Sequence, residues 1–273
     1  MIDSTAQRVI WRIAGAEALS FLQRIVTADM TPLRDGPGMV WAALLTPQGK
    51  YLADFFVARP PGSPDDGTML IDIAAALAPD TLRRLLLYRL RADVAIDETP
   101  LQVERGTGAP PADALADPRH PAMGWRRWVA RPGSVAPARP GAAHPARHDA
   151  TADWDALRVA HLIPEFPADL VPGETYILEA GFERLGGVSF RKGCYIGQEV
   201  TARMKHKAVL RRGLVRVSFA GRLVPGTPVT LEDGREAGRL GTVSGGRGIA
   251  MLRLDRIGAS LFAGGTTLTA EPV

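Results

Sequence analysis

Gly186-Gly187-Val188-Ser189-Phe190-Arg191-Lys192-Gly193-Cys194-Tyr195-Ile196-Gly197-Gln198-Glu199 holds the only cysteine among the 273 residues. Two cations, Arg191 and Lys192, precede it, and Gly193 and Gly197 flank it, which implies a tight backbone path. Gln198–Lys207 reads as a helix beginning just beyond the thiol. A cysteine beside cations and near a helix N-terminus is favoured as thiolate, the form that attacks electrophiles and binds soft metals. A buried, inert core cysteine is the commoner fate of a free thiol, but the charged and glycine neighbours weigh against it.

The rest of the chain limits what the thiol does. A papain-like nucleophile needs a histidine base. His120, His144, His148 and His161 are scattered, and His206 is twelve residues downstream, so nothing in the sequence pairs one with Cys194. A single cysteine and dispersed histidines lack the ligand spacing of a complete metal site. A metal shared with a second protein stays open, because a partner can supply further thiolates. One cysteine also makes no intramolecular disulfide. No apolar run approaches the ~20 residues of a membrane helix, and Met1-Ile2-Asp3-Ser4-Thr5 lacks a basic, apolar leader. The expectation is a cytoplasmic protein without a membrane partner. Net charge is +4, from 33 basic and 29 acidic residues, too small an excess to argue for nucleic acid.

Outward from the motif, the chain divides in character. Alternation predicts a strand at Gln7–Ile13, and short apolar runs between turn signals predict strands at Met39–Leu45, Tyr51–Ala58, Met69–Ile73, Val94–Ile96 and Leu101–Glu104. Thr46-Pro47-Gln48-Gly49 is the turn of a hairpin. Helical spacing predicts Gly15–Val26, with Leu19, Leu22, Ile25 and Val26 inward, and a helix opened by Pro79 with Leu82, Leu85, Leu86 and Leu90 inward. Residues 106–150 are rich in Pro and Ala and are expected as an irregular connection. Asp153–His161 is a short helix with Trp154, Leu157 and Ala160 or His161 inward, and Glu174–Leu185 is partly helical. After Gly213, short alternating strands with glycine turns predict a small barrel or sandwich. Arg203, Lys205, His206, Lys207, Arg211 and Arg212 form a basic cluster suited to carboxylates or phosphates. It carries no interleaved aromatic, so direct RNA binding is not expected.

The motif closely resembles the signature of the YgfZ-type folate-binding proteins, whose mitochondrial relatives assist iron–sulfur cluster assembly. Phe21 to Asp29, Leu44 to Lys50 with Asp54-Phe55-Phe56, Tyr88 to Ala92, Asp117-Pro118-Arg119 and Ile163-Pro164-Glu165 are similar to further family positions, so the resemblance covers most of the chain. It implies an α+β fold like that of the glycine cleavage T-protein: a folate-binding region over 1–205 and a C-terminal β-barrel over 206–273. The T-protein's Asp-Asp pair is here Ala53-Asp54, and its pterin-binding glutamate is replaced by Ala160. Alanine accepts no hydrogen bond, and losing such a contact costs about 1–3 kcal/mol. Glu179 stands at a position similar to a T-protein pocket acid.

The resemblance thus implies an accessory factor in iron–sulfur cluster assembly or repair rather than an aminomethyltransferase, with iron–sulfur assembly or carrier proteins as partners and tetrahydrofolate or a derivative as cofactor. Cys194 would supply a thiolate to a cluster bridged to a partner, or act as a redox-sensitive thiol. Lys192, Gly193, Tyr195, Gly197, Gln198, Glu199, Glu179, Arg203 and Arg212 would line the cofactor site. The alternatives are a folate-dependent aminomethyltransferase-like enzyme with Asp54 as base, and a factor in tRNA modification acting directly or through an iron–sulfur enzyme.

Overall fold

The computed structural model describes residues 8–64, 66–131, 152–207 and 209–271. The chain forms two compact units that are discontinuous in sequence. The first takes Met1–Leu45, Leu52–Ala152 and Gly186–Ile196; the second takes Thr46–Tyr51, Asp153–Leu185 and Gly197–Val273. Strand content spread through both units, with four α-helices among the described residues, is the α+β class the sequence predicts.

The first unit is built on a five-stranded sheet. In chain order it contains β1 (Arg8–Ala14), α1 (Ala18–Ile25), β2 (Gly38–Leu45), β3 (Tyr51–Arg59), β4 (Met69–Ala74), α2 (Ala78–Arg89) and β5 (Ala95–Glu98). The strand order is β2-β3-β4-β1-β5, and β4 and β5 pair antiparallel with β1. Nearly every residue of β3 is buried, so both faces of the sheet are covered. One cover is a second, three-stranded sheet of β6 (Leu101–Gly106), β7 (Leu115–Ala116) and β8 (Trp125–Ala130), whose Val103 and Trp128 pack on Ile10, Ala58 and Leu70. A buried ion network joins the two sheets. Asp72 accepts from Arg8 Nε at 2.6 Å and from Arg126 at 3.2 Å, and Asp117 accepts from Arg119 at 2.8 Å and Arg126 at 3.2 Å. Burial opposes ionisation of Asp117, yet Arg119 and Arg126 hold its carboxyl well below the usual carboxylate range.

The helices of this unit correct two expectations. Helix α1 is shorter than predicted, and it buries Ala18, Phe21, Leu22 and Ile25 while Leu19 stays half-exposed. Helix α2 does carry Pro79 in its first turn, but its buried side is Ala78, Thr81 and Leu85, and Leu86 and Leu90 face solvent. Five leucines in the nine residues 82–90 cannot all share one 3.6-residue face, so the spacing alone left the choice of face open.

The second unit contains α3 (Trp154–His161), α4 (Gln198–Lys207) and a closed barrel. The barrel strands are β9 (Arg212–Phe219), β10 (Pro228–Leu231), β11 (Glu236–Ser244), β12 (Arg247–Arg253), β13 (Leu261–Ala263) and β14 (Thr266–Glu271), in the order β10-β11-β12-β9-β14-β13. Its interior is filled by alternating residues, Val215 and Val217, Val229 and Leu231, Leu240, Ala250 and Leu252, Leu261 and Leu268. The barrel predicted after Gly213 is therefore present.

Two expectations for this unit fail. Asp153 caps α3, its carboxylate accepting from Ala156 N at 2.9 Å. The helix buries Arg158 and Val159 rather than Trp154, Leu157 and Ala160, because Arg158 has carboxylates to meet inside. It pairs with Asp169 at 2.9 Å, Asp155 at 2.7 Å and Glu165 at 3.0 Å. Residues 174–185 form successive turns, not a helix, and Gly181 with φ +74° marks one of them. The part of the predicted irregular connection at 132–151, with His144 and His148, lies outside the described residues.

Candidate functional site

The cysteine loop of the first unit is held by its neighbours' backbone polar groups. Helix α1 ends at Ile25, with Val26 as its C-cap, which leaves carbonyls there without helical partners. Lys192 answers them: its Nζ donates to Val26 O at 2.7 Å and Ala28 O at 2.8 Å. Thr27 adds two bonds, its hydroxyl donating to Gly187 O at 2.6 Å and its carbonyl accepting from Ser189 N at 3.0 Å. Ser189 Oγ in turn accepts from the backbone N–H groups of Arg191 and Lys192. The ammonium also lies 5.3 Å from the buried Tyr195 ring. Burial pulls the Lys192 ammonium down to about 8, against the opposing charge of Asp29. Asp29 is itself fixed by Gln23 and by Thr31 N and Oγ1. From this anchored loop Cys194 emerges exposed.

This geometry revises the expected roles. Lys192 was expected beside the thiol as an activating charge, but its ammonium is spent on the end of α1. Gly193 needs no glycine: its φ is not positive, and a Cβ there would meet nothing within 4 Å. Gly197 does, with φ +82°. Asp54 sits buried on β3 and accepts from the Trp41 indole N–H at 2.8 Å. Among the described residues, no three His, Cys, Asp or Glu side chains converge to hold a metal ion.

The remaining predicted residues belong to the second unit. Gln198 and Glu199 open α4, and Glu199 pairs with Arg203 one turn on, at 2.8 Å, on an exposed face. Lys205 is paired with Glu183 at 2.6 Å. Two cations of the basic cluster are thus already matched, while Arg211 and Arg212 are exposed. Glu179 is half-buried, its carboxyl pushed up by burial against the opposing charges of Arg212 and Lys50. Lys50, which is not among the predicted site residues, closes the hairpin turn. Its ammonium lies 3.5 Å from the Tyr176 ring centroid and donates to Glu174 O at 2.8 Å. Lys50 and Tyr176 also form a backbone bridge, so the turn and the 174–179 segment are one construction. Its only trace in the sequence is Lys50's place at the end of a turn.

Known proteins resemble this chain at two levels. Residues 211–273 match the family model of the CAF17 C-terminal beta-barrel domain. Along the chain, an iron–sulfur cluster assembly factor IBA57, mitochondrial, from Mus musculus is 30% identical over 92% of this chain and 76% of its own length. The Homo sapiens protein of the same name is 28% identical, again over 92% and 76%. An IBA57 homolog, mitochondrial, from Mycosarcoma maydis is 31% identical over 81% of this chain, which spans only 57% of that relative. In three dimensions, the glycine cleavage system aminomethyltransferase T from Bartonella henselae superposes with a TM-score of 0.74 over 98% of this chain and 84% of its own, at 14% identity. That likeness shows the T-protein-like fold. The relatives' names correct the cytoplasmic placement expected from the sequence, since all three are called mitochondrial.

Proposed function

The chain belongs to the IBA57 family of iron–sulfur cluster assembly factors, and from that premise we propose that it serves cluster assembly or repair as an accessory factor without a turnover of its own, offering Cys194 to a cluster shared with a partner. The observation that carries this reading is the contrast within one loop. The segment leading into the cysteine is fixed by buried hydrogen bonds, from Lys192 Nζ to Val26 O and Ala28 O and from Thr27 Oγ1 to Gly187 O, yet the thiol itself is exposed. An anchored loop presents its thiol at low ordering cost to an incoming group. The cluster is cargo, and the further ligands come from the protein that carries it. Partners are accordingly iron–sulfur assembly or carrier proteins.

A reduced folate is the small molecule this reading includes. Glu179 would accept from the pterin N–H groups, and Lys50 or Arg212 would meet the tail carboxylates. Any effect on tRNA modification is indirect, through iron–sulfur enzymes.

The test is genetic and chemical. In a strain lacking the gene, several iron–sulfur enzymes are assayed after complementation with the wild type and with Cys194→Ala. Restoration by the wild type and failure of Cys194→Ala is expected; full rescue by Cys194→Ala removes the thiol from the account. Titration with tetrahydrofolate is expected to give saturable binding weakened in Glu179→Gln. No binding at millimolar concentration removes folate and leaves the assembly role standing.

A further inference from the structure

Helix α2 turns an apolar stripe outward. Leu86, Leu87 and Leu90 are 43%, 67% and 83% exposed, although a helix of this length had ample choice of residues for its solvent side. Within the helix, spacings of three and four place Arg83, Leu86 and Leu87 on one face with Arg84 beside them, and Leu90 and Arg91 follow at its end, both exposed. Scattered exposed leucines are ordinary, but three adjoining ones with an arginine rim have the composition of a protein contact.

The backbone supplies a second, independent observation. Leu90 follows the last helical residue with φ +49° and ψ −111°, a conformation a branched side chain rarely adopts and one usually left to glycine. Glycine there would relieve the strain and remove the most exposed leucine. Strain kept at an exposed apolar side chain points to use rather than to packing.

Charge selects the occupant. Asp80 pairs with Arg83 at 2.6 Å, but among the described residues no carboxylate pairs with Arg84 or Arg91. A second copy of the chain meeting this stripe face to face would set arginine against arginine. A bilayer would need a longer apolar face than these three leucines provide. We propose that the outer face of α2 is a docking surface for a protein segment that presents apolar side chains rimmed by carboxylates. The surface rests on neither the cluster nor the folate reading.

The probe is a synthetic helical peptide with leucines at positions 1, 4 and 8 and flanking glutamates, set against the same peptide with lysines in place of glutamates. Binding to the full chain is followed by fluorescence anisotropy at low and high salt. The glutamate peptide is expected to bind at least about tenfold more tightly than the lysine one, to weaken with salt, and to lose at least about tenfold on Leu87→Ser/Leu90→Ser. Should that variant fold poorly, Arg84→Glu/Arg91→Glu serves instead and is expected to reverse the preference between the peptides. Equal affinity for both peptides, binding untouched by either variant, or no binding at millimolar concentration overturns the proposal. So does dimerisation, or co-sedimentation with anionic vesicles, that is lost in the leucine variant without any peptide binding: the occupant is then a second copy or a lipid surface.

Discussion

Two glycines flanking one cysteine have different physical duties, and the difference is measurable. Gly193 has ordinary backbone angles and open space where a side chain would begin, so Gly193→Ala is expected to change stability by less than about 0.5 kcal/mol. Gly197 at φ +82° is in the left-handed region, and Gly197→Ala is expected to cost about 1–2 kcal/mol in chemical denaturation. Equal effects would contradict the geometry. Glu179 makes a prediction in pH. Burial raises its folded pKa above that of the unfolded chain, so its ionisation opposes folding once pH exceeds the unfolded value and costs nothing in acid. Glu179→Gln should therefore raise Tm at pH 7, with the gain vanishing as pH falls below the ordinary glutamate range.

Elements show where a sequence can be read and where it cannot. Strands β2, β3 and β4 were legible as compact runs of apolar residues between turn signals, and β1 was legible from its alternation. The barrel was legible for the same reason, and so was α4. Helix α2 formed as expected but with a different buried face, because leucine at four of its positions and again at Leu90 just past its end erases the contrast on which a face is chosen. Helix α3 misled in the opposite way. An arginine looks like an outward residue until the three carboxylates that surround it are known, and Asp169 and Glu165 come from beyond the helix. That cluster is tight enough to test. Asp169 accepts from Thr242 N at 2.8 Å and from its hydroxyl at 2.7 Å, and a Cβ on Gly241 would fall on the same carboxylate. Gly241→Ala is expected to destabilise by about 1–3 kcal/mol through overpacking against a group that cannot move away. An unchanged Tm would mean that the carboxylate is not fixed there.

Across the whole molecule, the motif identified the family and the fold more securely than it identified any chemistry. The anchoring of Lys192 to Val26 and Ala28 joins residues more than 160 positions apart, and no local pattern encodes that. The same holds for the second unit. Its barrel is tied to the 153–185 segment by Leu214 N to Glu179 O at 3.2 Å, Arg216 to Ala160 O at 2.8 Å and Ser244 Oγ to Asp153 Oδ2 at 3.0 Å, besides the Asp169 cluster. A fragment of residues 206–273 alone should consequently show a lower Tm than one of residues 153–273; equal stability would make those ties irrelevant to the barrel. The central claim is narrower and concerns one atom. Purified chain, mixed anaerobically with a cluster-loaded carrier protein of the assembly pathway, should give a complex whose visible absorption and Mössbauer spectrum differ from the carrier's own, and Cys194→Ala should leave the carrier's spectrum unchanged. A spectral change of the same size with Cys194→Ala would contradict the claim that this thiol meets the cluster.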